Sequence, residues 1–115
     1  MLAAAAVDNH LLEPDQAFFR STNAVNRCFS YHSKNDPVLG VAYWVGDITD
    51  GIHPALGLKG PRSKPITLQK TPNVYVVDCS VRITSHGGYR NCSQYYDHWK
   101  RVLAGGPMDR YDELS

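Results

Sequence analysis

The chain has 115 residues, of which 43% are hydrophobic and 20% are charged. This length allows one globular domain with a core of its own, and the composition is that of an ordinary folded protein. With 12 Lys and Arg against 11 Asp and Glu the net charge is +1, which disfavours a nucleic-acid partner because such a partner needs a concentrated basic face.

The cysteine content and the lack of recognisable targeting signals indicate the cellular compartment expected for the protein. The cysteines, Cys28, Cys79 and Cys92, are odd in number and cannot all pair within one chain, so we expect reduced thiols and a cytoplasmic protein. Residues 1–7 are apolar but too few for a secretion signal or a membrane span. Cysteines and histidines lack the close spacing of zinc ligands, so neither a metal nor another cofactor is predicted.

The first predicted elements are two strands separated by a loop. Residues 2–7 (LAAAAV) form an apolar run that fits a short helix or a strand buried on both faces, and its length favours the strand. Residues 10–26 predict a loop with one helical turn near Pro14. Residues 25–33 mix β-branched and aromatic side chains with polar ones, which predicts the second strand.

A helix start and a long loop come next. Asp36 before Pro37 is typical of a helix N-terminus, because the carboxylate accepts from first-turn amides and proline needs no amide partner. Residues 38–45 are then predicted to be a short helix. Residues 46–72 carry four of the nine glycines and four of the seven prolines, so we expect a long loop of the kind that is often functional.

The C-terminal part is predicted to hold a strand, a turn and a helix. Residues 73–80 are the clearest apolar strand, and residues 85–89 predict a turn that presents His86. The helix is expected to be capped by Ser93 and ended by Gly105. Its buried face is predicted to contain Tyr95, Trp99, Val102 and Leu103.

Strands that alternate with helices favour an α/β fold with a partial, mostly parallel sheet flanked by helices. Residues 1–107 are expected to form one domain, with residues 108–115 as a flexible tail. The first strand would be an exposed apolar edge, which is a liability unless something pairs with it. The pattern therefore predicts one end of a larger sheet.

Two polar side chains follow neighbouring predicted strands. Asp36 comes after the second strand and His86 after the third, and the carboxyl ends of parallel strands meet at one edge, where sites form. A carboxylate there can fix the imidazole tautomer and stabilise the imidazolium, as the acid and base of a nucleophilic triad do. The chain order of acid then histidine is that of α/β hydrolases.

Three motifs carry a resemblance across residues 1–104. They are FSYHSKNDPVL at residues 29–39, ALGLKG at 55–60 and SHGGY at 85–89. In this order, with a closing Trp-containing helix, they resemble the C-terminal part of uncharacterised α/β-hydrolase families. The resemblance implies a serine hydrolase for a small-molecule ester or acyl substrate, with His86 as base, Asp36 as acid and Asp8 as the alternative acid.

One departure from that family limits the expected activity. The chain has no GxSxG nucleophile elbow, so the serine would come from a missing N-terminal segment or a separate N-terminal partner chain. Two simpler interpretations stay open: Asp36 serves only as a helix cap, and residues 85–88 form a plain turn. The alternative function is a non-catalytic binding or structural module that pairs through its open strand edge, for example as a homo-oligomer.

Overall fold

The computed structural model describes residues 2–3, 11–14, 16, 19–40, 56–61 and 69–115. These residues form a four-stranded, fully parallel sheet in the order β1-β2-β3-β4. The strands are β1 (Leu2–Ala3), β2 (Cys28–His32), β3 (Val74–Asp78) and β4 (Tyr111–Glu113). Two helices have both ends within the described residues, α1 (Leu56–Lys59) and α2 (Ser93–Leu103), and a further helical segment begins at Pro37. Short 3₁₀ turns span Ser21–Ala24 and Gly88–Asn91. The predicted α/β class is confirmed.

Both faces of the central strands are buried. Alternate residues of β2 and β3 point to opposite faces of a sheet. One face packs against α2 through a core cluster that includes Phe29, Tyr31, Val77 and Tyr95. The opposite face is covered by Leu12 and by Leu56 of α1, which pack on Cys28, Val74 and Val76. This two-sided burial is why the strands are predominantly apolar rather than alternating.

The C-terminal segment is not the flexible tail expected from the sequence. Tyr111–Glu113 pairs in parallel with β3, and Leu114 is buried in the core. The Arg110 side chain also donates to the carbonyls of Val74 and Thr71, at 2.7 and 2.8 Å. A three-residue strand with two acidic residues has no pattern of its own, so β3 and Arg110 decide its place.

The C-terminal helix differs from the prediction at its start and on its buried face. Ser93 is the first residue of α2, Cys92 precedes it, and no side chain caps this end. His98 lies on the buried face of the helix, whereas Leu103, which was expected on that face, is 79% exposed. The predicted end is confirmed: Gly105 adopts φ 78°, and its amide donates to the Val102 carbonyl at 3.0 Å.

The predicted long loop contains a helical turn, α1, that ends at a glycine. Gly60 has φ 73°, and its amide donates to the Leu56 carbonyl at 2.8 Å. A Cβ at this position would lie 2.8 Å from the His32 ring. Both the backbone angle and the close approach of His32 therefore require glycine here.

Some predictions fall outside the described residues. They include the first strand beyond Ala3, the helix beyond residue 40 and the alternative acid Asp8. Within the described sheet β1 lies at one edge and pairs with β2. In the part of the chain that the structure covers, no helix is both long enough and apolar enough to span a bilayer.

Candidate active site

Asp36 and His86 meet at the carboxyl edge of the sheet. Asp36 follows the end of β2 by four residues, and His86 follows the end of β3 by eight. The structure brings them together, with 2.8 Å between His86 Nδ1 and Asp36 Oδ2. The topology accounts for the meeting, because neighbouring parallel strands deliver their following loops to the same edge.

The two carboxylate oxygens of Asp36 have different partners. Oδ1 accepts hydrogen bonds from the amides of Val38 and Leu39, at 3.0 and 3.1 Å, in the first turn of the helix that begins at Pro37. Oδ2 faces the His86 ring. The helix cap thus orients the carboxylate, and a residue that caps a helix is not thereby excluded from the site.

Exposure differs sharply across the pair. The Asp36 side chain is 1% exposed and the His86 side chain is 44% exposed. A buried carboxylate at this distance favours the tautomer in which Nδ1–H donates to it, which leaves a lone pair on Nε2. No described residue forms a hydrogen bond with Nε2. The His86 ring can therefore accept a proton at Nε2, and Asp36 can stabilise the resulting imidazolium through Nδ1–H.

Three hydrogen bonds tie the loop before Asp36 to the loop before His86. The Ser33 hydroxyl donates to the Ile83 carbonyl at 2.5 Å. The Lys34 amide donates to the Ser80 hydroxyl at 3.0 Å. The Asn35 side chain donates to the Ser80 carbonyl at 2.8 Å. The acid and the histidine are thus held by loops that are bonded to each other.

Asp78, the last residue of β3, anchors the Ser80 end of these ties. The Ser80 hydroxyl and amide both donate to Asp78 Oδ1, at 2.5 and 2.9 Å. Burial alone would raise the pKa of Asp78, but these bonds and the nearby His32 and Lys34 lower it overall. Asp78 is consequently an ionised anchor at neutral pH.

The turn that carries His86 is fixed to the core by the residue that ends its motif. Tyr89 is buried, and its hydroxyl has no hydrogen-bond partner within the described residues. Burial raises its pKa, and the nearby Cys79 and Asp36 raise it further, so the phenol stays protonated. Gly88 lies close to Ser85, and its amide donates to the Ser85 carbonyl at 3.0 Å. The turn is therefore compact.

A cavity of about 280 Å³ opens on the same sheet edge. Its lining consists of Lys34, Asn35, Asp78, Ser80, Val81 and Glu113. Neither Asp36 nor His86 lines it, so it lies beside the pair rather than over it.

Several described hydroxyl and thiol groups are unavailable as a nucleophile for His86. Ser30 and Ser33 are fully buried, and the Ser80 hydroxyl is bonded to Asp78. Burial raises the pKa of the Cys28 thiol and raises that of Cys79 to about 12, so both remain protonated. Among the described residues there is also no group of three or more side chains suited to hold a metal ion.

Sequence reasoning missed a second histidine contact, in the core. His98 is 1% exposed, and its Nδ1 lies 2.8 Å from the Tyr31 hydroxyl. Asp112 of β4 faces the other ring nitrogen at 3.9 Å. The available signal was the helical spacing, because position 98 falls on the same face as Tyr95 and Trp99.

No family model, curated protein or solved structure matches this chain. Any function must therefore be argued from the geometry.

Proposed function

We propose that Asp36 and His86 are the acid and base of a serine hydrolase site that acts on an ester or related acyl substrate. The observation that carries the proposal is the 2.8 Å contact between a buried carboxylate and a half-exposed imidazole. A histidine with a purely structural role contributes little stability at a position where its second ring nitrogen is exposed to solvent. A general base requires this accessibility.

The chemistry assigned to the pair is proton transfer at Nε2. As a serine hydroxyl attacks the acyl carbon, His86 Nε2 takes the hydroxyl proton, and Asp36 stabilises the imidazolium through Nδ1–H. The same proton then passes to the leaving alcohol as the acyl–oxygen bond breaks. Water repeats the sequence on the acyl-serine and releases the acid. The serine in this proposal comes from outside the present sequence, since the chain contains no GxSxG elbow.

The first test uses the 115-residue chain alone. We expect no esterase activity on short acyl esters and no labelling by a fluorophosphonate probe. Robust labelling that is lost when one serine of this chain is replaced would contradict the external nucleophile.

The second test supplies the nucleophile. The polypeptide encoded immediately upstream is co-expressed with this chain, and its serine is titrated with the fluorophosphonate. We expect labelling only when both are present. His86→Ala should slow labelling by about 10²–10⁴-fold, the usual contribution of a general base. Thr84→Ala, at an exposed position directly before the turn that carries His86, is the matched control. Labelling that is unchanged by His86→Ala would defeat the proposal.

The proposed setting is a reducing cytoplasm. All three cysteines are free and buried, which fits a compartment that keeps thiols reduced.

A second candidate function is a binding or structural module. It is favoured by the position of β1, which has β2 as its sole strand partner within the described sheet. An unpaired backbone edge can pair with a copy of this chain or with another protein. Measurement of the mass in solution tests self-pairing: a dimer that persists on dilution favours it, and a folded monomer contradicts it.

A further inference from the structure

We propose that the Ser33 hydroxyl is the positioning group of the Asp36–His86 pair. It joins the loop that carries the acid to the loop that carries the histidine. The inference rests on the role proposed for the pair, but it concerns where the imidazole is held. It is therefore read out on the His86 ring itself.

The bonding of Ser33 converges on both loops. Its hydroxyl donates to the Ile83 carbonyl at 2.5 Å and accepts from the Asn35 amide at 3.2 Å. Its carbonyl accepts from the Asp36 amide at 3.3 Å, and its own amide donates to the Gly57 carbonyl at 2.9 Å. One fully buried residue thus connects the acid loop, the histidine loop and α1.

Of the three hydrogen bonds that join the two loops, the one from Ser33 is separated from Asp36 and His86 by the fewest residues in total. Ile83 precedes His86 by three residues, and Ser33 precedes Asp36 by three. The other two ties both end on Ser80, which is six residues before His86. A displacement of the histidine loop near Ile83 therefore reaches the imidazole with the least intervening chain.

The Ile83 end of this tie is rigid. Ile83 is fully buried, and its amide donates to the Cys79 carbonyl at 2.8 Å. Loss of the Ser33 hydroxyl would leave the buried Ile83 carbonyl without this donor, which costs more than an exposed hydrogen bond. The loop would relax to recover a partner, and a shift of about 1 Å is enough to break the alignment of a catalytic pair.

The readout is the tautomer of His86, measured from ring ¹⁵N chemical shifts in the labelled full chain. In the wild type the Nδ1–H form should dominate, because Asp36 accepts from it. Ser33→Ala should raise the fraction of the Nε2–H form roughly three- to tenfold, the range expected for loss of one net hydrogen bond. Asp36→Asn should raise it as well and serves as the positive control.

Ser30→Ala is the matched negative control. Ser30 lies on β2, the strand that ends directly before Ser33, and it is equally buried, but its hydroxyl has no hydrogen-bond partner in the described part of the chain. Its removal should leave the tautomer ratio unchanged. A wild-type ratio in folded Ser33→Ala, with a changed ratio in Asp36→Asn, overturns the inference and leaves the proposed function standing.

Two further measurements cover loss of folding. If Ser33→Ala does not fold, Ser33→Cys keeps the side-chain size with a weaker donor and should give the same direction of change. The wild type also gives a direct test: a buried, bonded Ser33 hydroxyl proton should exchange slowly and be resolved, and fast exchange with water overturns the inference. Conversely, serine labelling that does not depend on His86 defeats the proposed function while leaving a Ser33 effect on the tautomer intact.

Discussion

His86 and His98 occupy opposite situations on one sheet. Both contact a side chain from β2 or the loop after it: His86 meets Asp36 and His98 meets Tyr31, each at 2.8 Å. The His86 side chain is 44% exposed and faces a buried carboxylate. His98 is 1% exposed, packs edge-on against Tyr31 and Phe29, and has its carboxylate, Asp112, at 3.9 Å.

The difference separates a histidine suited to a structural role from one whose geometry suits proton transfer. Burial lowers the pKa of His98, the positive charge of Arg101 lowers it further, and Asp112 opposes both. Burial raises the pKa of Tyr31, so its phenol remains protonated and can donate to Nδ1. This neutral pair joins β2, α2 and β4. An accessible nitrogen, as in His86, is instead what a proton-transfer role requires.

The largest expected effect comes from truncation of the buried histidine. His98→Ala should lower the free energy of unfolding by about 3 kcal/mol, since it leaves a cavity and an unpaired Tyr31 hydroxyl. His86→Ala should change it by less than about 1 kcal/mol, because half-exposed contacts are weak. Urea denaturation of both variants measures this difference, and an equal loss of unfolding free energy in the two variants would contradict the prediction.

The next effect separates the two oxygens of Asp36. Asp36→Ala should lower the free energy of unfolding by about 2 kcal/mol, because the helix cap and the His86 contact are both lost. Asp36→Asn should retain most of this stability, since asparagine caps as well as aspartate. Chemical denaturation gives the stability, and the His86 tautomer reports orientation. If Asn costs as much as Ala, stability depends on the charge and not on the cap.

A smaller effect is the pH dependence from His98. Its pKa in the folded protein is below the ordinary value of 6.5, so protonation favours the unfolded chain. The free energy of unfolding should fall as pH drops below 6.5, by up to about 1 kcal/mol between pH 6.5 and 5.5. The groups around the ring that set this response are Tyr31, Arg101 and Asp112.

His98→Gln is the control for this pH dependence. It should remove the pH dependence of the free energy of unfolding, measured by urea denaturation at a series of pH values. A pH dependence that persists would belong to another group.

Asp78 acts in a separate pH range. Its lowered pKa stabilises the fold above about pH 3.8, and that contribution is lost as the carboxylate becomes protonated at lower pH.

The smallest effect is expected at Tyr89. Its buried hydroxyl has no partner among the described residues, so Tyr89→Phe should change the free energy of unfolding by less than about 0.5 kcal/mol. Tyr31→Phe, which removes a bonded hydroxyl of the same core, should cost about 1–2 kcal/mol. Thermal or urea denaturation compares the two, and a larger loss at Tyr89 would reveal an unrecognised partner.

Local patterns were sufficient for several elements. The apolar run of β3, the Asp36-Pro37 helix start and the glycine end of α2 depend on short-range chemistry, and they appear as expected. Patterns were insufficient for β4, because three residues with two carboxylates become a strand only when β3 offers its edge. The same holds for His98, whose burial depends on Tyr31 of another element.

By itself the sequence determined the alternation of strands with helices, and hence a parallel sheet whose carboxyl edge receives the loops of Asp36 and His86. That much follows from periodicity and chain order, which are local properties. Only the tertiary structure decided that the second carboxylate oxygen of Asp36, Oδ2, faces His86, and that Ser33 joins the two loops. Those contacts span some 50 residues, and such separations are closed by packing of the whole sheet.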